Sequence, residues 1–230
     1  MIVILLRSVA AIALCVVTVS VAHAAESVWD ALRTPGSVVI LRHSYAPGGF
    51  DPPTARLDDC STQRNLDANG RAQAARVGEA LRRSGIEIGV VLSSPRCRCL
   101  DTGRLAFGRA QAWEPLQGAL DDTERRQRQL AEIRHTIAAH RDGPVLVLIT
   151  HGSVVSDLTG LNIRMGAFVV LRRGADGTHA VAGELYVERA SRSSSRADPF
   201  RRGGTHEAYG TVARPVTPGH VVRDDAGFRP

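Results

Sequence analysis

Two histidines each stand directly behind a run of branched apolar residues. "VVILRH" ends in Arg42 and His43, and "VLVLITH" ends in Thr150 and His151. A third apolar run, "IGVVLSS", leads into "PRCRCLDT", which carries Arg96 and Arg98. A buried cation without a partner is costly, so residues of this kind persist only where they meet an anion or water. Imidazoles and guanidiniums gathered at one place suit phosphoryl transfer. Guanidiniums bind the oxygens of the phosphoryl group, one imidazole attacks through its unprotonated nitrogen to form a covalent phosphohistidine, and a second steadies the transferring group. Water then completes the displacement. Such chemistry needs no metal and no cofactor, and the sequence has no metal-ligand spacing of the HExxH kind.

These residues require elements that bring them together. From Ser37 to Leu41 the residues after the serine are apolar and mostly β-branched without polar alternation, the pattern of a strand buried on both faces. "IGVVLSS" and "VLVLIT" repeat that pattern. Between the first two strands, "LDANGRAQAARVGEALRRSG" places apolar or small residues at 74, 77, 78 and 81, the stripe of an amphipathic helix closed by Gly85. "RCRCLDTGRLAFG" is predicted as a helix leading to a short strand around "AQAWEPL". "DDTERRQRQLAEIRHTIAAHRDG" is predicted as a helix with Leu130, Ile133 and Ile137 on one face, and "SVVSDLTG" as a short helix. "AFVVLRR" and "AVAGELYVE" read as a hairpin. Strands alternating with helices predict a three-layer α/β/α sandwich with a mainly parallel sheet. In such sheets ligands sit beyond the carboxyl ends of the strands, where the histidines and arginines stand.

The remaining composition bounds the setting. The chain has 230 residues, a net charge of +6, and 29 basic residues that are all arginine. This suits an anionic partner. Residues 1–24 read as a secretory signal peptide: Arg7, the apolar run "SVAAIALCVVTVSVA", then "AHA" with cleavage after Ala24, or Ala25. An uncleaved anchor is the alternative. Export implies a periplasmic or secreted protein, with Cys60, Cys97 and Cys99 in a compartment where disulfides persist. The expected arrangement is one bridge from Cys60 to Cys97 or Cys99, with one buried thiol; a cysteine metal site and a reactive thiol are the rival readings. Residues 25–188 form the predicted domain, and 189–230, rich in Arg, Ser, Gly and Pro, read as a disordered tail. The tail lacks the interleaved aromatics of a nucleic-acid platform, so no nucleic-acid partner is expected. Membrane contact is expected only through the signal or a weak attraction of the tail. No feature of the sequence specifies an oligomeric state.

"LRHS", "SSPRCRCLDTGRLAFG" and "VLVLITHGSVVSDLTG", in this order and about fifty residues apart, resemble the signature segments of the histidine phosphatase superfamily, branch 1, with its phosphoglycerate mutase-like fold. The resemblance covers residues 37 to 171 or 187. "DDCSTQRNL" and "CRCLDT" look most like exported proteobacterial members. The resemblance implies His43 as phosphoacceptor and Arg42 as its neighbouring phosphate ligand. Arg98 matches the second signature arginine, with Thr102 four residues on, and Arg96 is the competing choice. His151 would be the second histidine, Arg64 in "TQRNL" a further pocket residue, and Ser44 a substrate-side residue where the family often has glycine. The implied partner is a small phosphorylated molecule.

One departure concerns the proton donor for the leaving group. Many members place a glutamate in a Leu-x-Glu context, where "PLQGALDDTE" has Gln117. Asp121, Asp122 and Glu124 are the candidates, and equally the charged first turn of the following helix. Without a strong acid the enzyme would favour good leaving groups, phosphoramidates or anhydrides over alkyl phosphates. The rivals to a phosphohydrolase are a non-catalytic module that binds phosphorylated glycans or lipids, and a thiol or metal enzyme. No chemistry is expected of His135, His140, His179, His206 or His220, the first two on a helix facing solvent and the others in a turn or the tail.

Overall fold

The computed structural model describes residues 27–118, 121–188, 211–214 and 221–222. The expected signal segment, His206, His220 and most of the expected tail lie outside the described residues.

Helix α1 (Val28–Arg33) starts at Ser27, whose side chain accepts a hydrogen bond from the Asp30 amide. Strand β1 (Val38–Arg42) follows, with Val38, Val39, Ile40 and Leu41 fully buried. Burying a side chain of this size contributes about 1.5–3 kcal/mol, so β1 is anchored from both faces. A long loop leads to helix α2 (Ala68–Arg83), capped by Asp67 and packed through Ala74, Val77, Gly78 and Leu81, the stripe expected from the sequence. Strand β2 (Ile88–Ser93), helix α3 (Cys97–Phe107) and strand β3 (Gln111–Ala112) come next, followed by a 3-10 turn at Glu114–Gln117. The expected strand around "AQAWEPL" therefore shrinks to two residues. Helix α4 (Thr123–Ala139), strand β4 (Val145–Thr150) and helix α5 (Gly152–Thr159) complete the parallel part. Strands β5 (Phe168–Arg173) and β6 (His179–Val187) form the expected hairpin.

The sheet order is β3-β2-β4-β1-β5-β6-β7, with β8 on β6. Pairings among β3, β2, β4 and β1 are parallel, whereas β5 runs antiparallel to β1 and all later pairings are antiparallel. The sheet is thus mixed, not mainly parallel: helical crossovers build one half and hairpin connections the other. Strands β7 (Thr211–Arg214) and β8 (Val221–Val222) both pair with β6. At these residues the expectation of a disordered tail does not hold, since an unpaired outer edge of β6 is available to accept them.

Alternate residues of the central strands face opposite layers. Val39, Leu41, Val147 and Ile149 pack with Val77 and Leu81 of α2, Leu32 of α1 and Cys99 of α3. Val38, Ile40, Leu146 and Leu148 pack with Ile133 and Ile137 of α4 and Val154 and Leu158 of α5. This is a three-layer α/β/α arrangement. Close approach of α2 and α3 depends on Gly78, where a Cβ would lie 1.8 Å from the Ala106 carbonyl oxygen. His135 is exposed and His140 is half-buried at the end of α4. His179, expected in a turn, is instead the buried first residue of β6, with Nε2 3.0 Å from the Gly36 carbonyl oxygen.

Candidate active site

Parallel pairing of β1 with β4 sets Arg42 opposite Thr150. His43 and His151, one residue beyond each strand, therefore come side by side. Their ring centroids are 5.4 Å apart and the planes cross at 66°. The His43 amide extends the ladder by donating to the Thr150 carbonyl oxygen at 2.9 Å. The neighbouring strand β2 is in register with Ile149 at Ser93, so Ser94 reaches the same edge.

The His43 ring is 2% exposed, with Nδ1 2.8 Å from the Ser44 carbonyl oxygen. A carbonyl can only accept, so Nδ1 carries the proton and Nε2 keeps its lone pair. Burial lowers the His43 pKa to about 3, helped by the charges of Arg98, Arg64 and Arg42 and opposed by the Ser44 hydrogen bond. His151 has Nδ1 3.5 Å from Arg98 Nη2 and Nε2 2.9 Å from Ser94 Oγ. Guanidinium only donates, so Nε2 of His151 holds the proton and gives it to Ser94. Burial and the adjacent His43 and arginines hold the His151 pKa well below its ordinary value.

Four guanidiniums frame this pair. Arg42 Nη1 donates to the Ile163 carbonyl oxygen at 2.7 Å, and a Cβ on Gly152 would lie 3.1 Å from Arg42 Cζ. Arg64 Nη1 donates to the Ala46 carbonyl oxygen at 2.8 Å. Burial lowers the pKa of both Arg42 and Arg64 from the usual arginine value. Arg98 projects from the first turn of α3 and is 7% exposed. Nε atoms of Arg42, Arg64 and Arg98 are all buried without a protein acceptor, donors available to an anion. Of the two arginines competing for the signature position, Arg98 faces His151, whereas Arg96 sits further out and pairs with Asp51 at 3.4 Å.

Ser44 is fully buried; its amide donates to Thr102 Oγ1 at 3.0 Å, and Thr102 in turn donates to the Arg98 carbonyl oxygen at 2.7 Å. These two bonds join the segment after β1 to α3. Gly70 permits the join: a Cβ there would lie 1.9 Å from the Tyr45 carbonyl oxygen.

The three proposed proton donors are not brought to the histidines by any contact. Asp122 caps α4 by accepting from the Arg125 amide, and Glu124 pairs with Arg128 in the first turn, 87% exposed. Asp121 is exposed. Their residue types are accounted for by the start of α4. Gln117 ends the 3-10 turn instead of supplying an acid. The bridge joins Cys60 to Cys97, leaving Cys99 a buried thiol. Burial pushes the Cys99 pKa up to about 12, so it is protonated at neutral pH, and the bridged sulfurs cannot act as thiolate ligands.

Two residues at this edge escaped the sequence reading. Ser94, within the quoted "SSP", fixes the His151 tautomer. Asp51 accepts from Arg98 Nη1 at 3.0 and 2.8 Å and from the Arg64 amide at 2.7 Å. It lay in a Pro/Gly/Asp-rich stretch where an aspartate reads as a turn former.

Residues 39–120 match the family described as histidine phosphatase superfamily (branch 1). No curated protein matches the chain in sequence. Among solved structures, the protein histidine phosphatase SixA complexed with tungstate aligns with 18% identity and a TM-score of 0.50, covering 64% of this chain and 95% of that one. A phosphoserine phosphatase from Entamoeba histolytica, in complex with phosphoserine, aligns with 12% identity and a TM-score of 0.49 over 63% and 94% of the two chains. The alpha-ribazole phosphatase from Shigella flexneri gives 12%, 0.46, and 60% and 91%. The family match covers residues 39–120, and the SixA structure shares the mixed α/β fold of this chain.

Proposed function

We propose that the protein is an exported phosphohydrolase that cleaves a small phosphomonoester or phosphoramidate through a covalent phosphohistidine on His43. The observation that carries this reading is the His43 tautomer: Nδ1 is committed to the Ser44 carbonyl, so Nε2 is an unprotonated nucleophile among Arg42, Arg64, Arg98 and His151. Nε2 attacks phosphorus, the bond to the leaving group breaks with its electron pair going to the leaving atom, and a P–N bond forms. Guanidinium donors spread the charge on the equatorial oxygens, with the His151 ring held beside them by Ser94. Water then attacks phosphorus, the P–N bond breaks back to His43, and inorganic phosphate leaves. No step uses a metal or a cofactor.

Asp51 is the carboxylate in contact with the arginine cluster. Burial alone would raise its pKa, but the Arg64 amide, the Arg98 hydrogen bond and the charges of Arg98 and Arg96 outweigh that and lower it. It is therefore ionised at neutral pH and poorly suited to donate a proton. This favours leaving groups that depart without an acid from the protein, such as phenolates, or a phosphoramidate nitrogen that has already taken its proton from solvent. The Cys60–Cys97 bridge supports an oxidising compartment, periplasmic or extracellular.

Hydrolysis of p-nitrophenyl phosphate should persist in excess chelator and be abolished in His43→Ala. Quenching in alkaline detergent during turnover should trap an acid-labile, base-stable phosphoenzyme in the wild type. The lack of a placed carboxylic acid favours a second reading, a phosphate-binding module without turnover. Tight phosphate binding with no trapped phosphoenzyme would select it. N-terminal sequencing of the secreted chain tests export, with a new terminus at Ala25 expected.

A further inference from the structure

Asp51 is a feature of this edge that phosphoryl transfer does not call for. Its side chain is 11% exposed and lies against two arginines, with both carboxylate oxygens on Arg98 Nη1 and Oδ2 3.4 Å from Arg96 Nη1. The Arg64 amide donates to Oδ1, so the carboxylate ties the later part of its own loop to the start of α3. A negative charge there opposes the binding of a phosphate anion, yet it ties down one end of a guanidinium that must be aimed. Arg98 makes no other side-chain contact of comparable quality. Its Nη1 to the Arg64 carbonyl oxygen measures 3.4 Å and its Nη2 to His151 Nδ1 3.5 Å, while Nε is buried without an acceptor.

We propose that Asp51 is a positioning and charge-tuning residue: it holds the Arg98 fork with Nη2 toward His151, and it lowers the positive charge of the pocket so that product phosphate departs. This rests on the pocket binding phosphate, as the proposed function requires. Anchoring one nitrogen leaves the rest of the fork for the transferring group, where a free guanidinium would close onto any anion present. Phosphate release then depends on a balance of three or four guanidiniums against one fixed carboxylate.

The test compares Asp51→Asn, Asp51→Glu and Asp51→Ala with the wild type, using calorimetric titration with inorganic phosphate and turnover of p-nitrophenyl phosphate. Asn keeps the acceptor oxygen but removes the charge, and phosphate should bind roughly five- to tenfold tighter. Glu restores the charge, and phosphate affinity should return to within about twofold of wild type. Ala removes the anchor, so kcat should fall by about tenfold or more while phosphate affinity rises as in Asn. Equal phosphate affinity in wild type and Asp51→Asn overturns charge tuning; wild-type kcat in a folded Asp51→Ala overturns positioning. Circular dichroism of each variant identifies any that fail to fold, and Asp51→Asn, nearly isosteric, is read in that case. Titration works on a catalytically silent protein, so a failure of turnover in the wild type counts against the proposed hydrolase and leaves the charge-tuning result legible.

Discussion

At the scale of single residues, the two facing histidines are neutral because they are buried beside cations, and that has a cost in acid. In the unfolded chain a histidine binds a proton near pH 6.5, whereas folded His43 does so only near 3. Between these values the unfolded state holds more protons, so stability falls as pH falls through this window. From pH 7 to 5, His43 alone should remove about 2 kcal/mol, with His151 acting in the same direction. Asp51, with its lowered pKa, adds a loss of the same sign below about pH 3.9. Urea midpoints at pH 7 and pH 5 should differ clearly in the wild type and less in His43→Asn; equal pH slopes for the two proteins would contradict a neutral, buried His43. Ser94 has a separate consequence. Ser94→Ala removes the acceptor of the His151 proton, and the lost bond, about 1.5 kcal/mol, should lower kcat roughly tenfold with little change in KM. Arg42, His43, Arg98 and His151 stood out because each follows an apolar run, although β2 before Arg98 is only partly buried, with Val90 55% exposed. Asp51 did not, because its partners lie 13 and 47 residues away along the chain and its local surroundings are those of any turn.

At the scale of elements, the loop between β1 and α2 carries both Asp51 and Arg64 yet contains only a short 3-10 turn at Cys60–Thr62 and a bridge between Arg56 and Asp59. Its position depends on attachments to α3: the Cys60–Cys97 bond, and Gln63 Oε1 accepting from the Cys97 amide at 3.0 Å. Spacing alone left the bridge open between Cys97 and Cys99. Helical geometry separates them, since Cys97 is turned toward the loop and Cys99 packs into the apolar layer under the sheet. The bridge closes a segment with a sequence separation of 37, so a Cys60→Ser, Cys97→Ser double variant should lose about 4 kcal/mol of stability in the chain-entropy account. It should also bind phosphate more weakly, because Arg64 and the Asp51 anchor of Arg98 loosen together. Adding reductant to the wild type should reproduce both effects. Undiminished phosphate affinity in the reduced protein would mean that the Gln63 contact and local packing suffice to hold the loop.

At the scale of the whole molecule, the parallel half of the sheet was readable from uninterrupted Val, Ile and Leu runs separated by helical stripes, the mark of strands covered on both faces. The antiparallel half was only partly readable. The β5–β6 hairpin carries an apolar pattern, but β7 and β8 are four and two residues long and lie in a stretch of Ser, Arg, Gly and Pro that lacks any period. Their pairing is set by an edge that already exists, with β6 residues Glu184–Val187 taking β7 and His179–Ala180 taking β8. Val222 is 7% exposed and packs in the same apolar layer as Ile133 and Leu158, so this distant segment belongs to the core. A chain ending at Glu188 should therefore lose the burial of Val222 and the β6 edge pairing, together about 2–4 kcal/mol, and should aggregate more readily through the bared strand. The proposed phosphate pocket lies at β1, β4 and α3, so catalysis per folded molecule should survive the truncation. A truncated protein with an unchanged urea midpoint would show that β7 and β8 rest on the sheet without supporting it, while loss of turnover at full folding would place part of the site in the C-terminal segment.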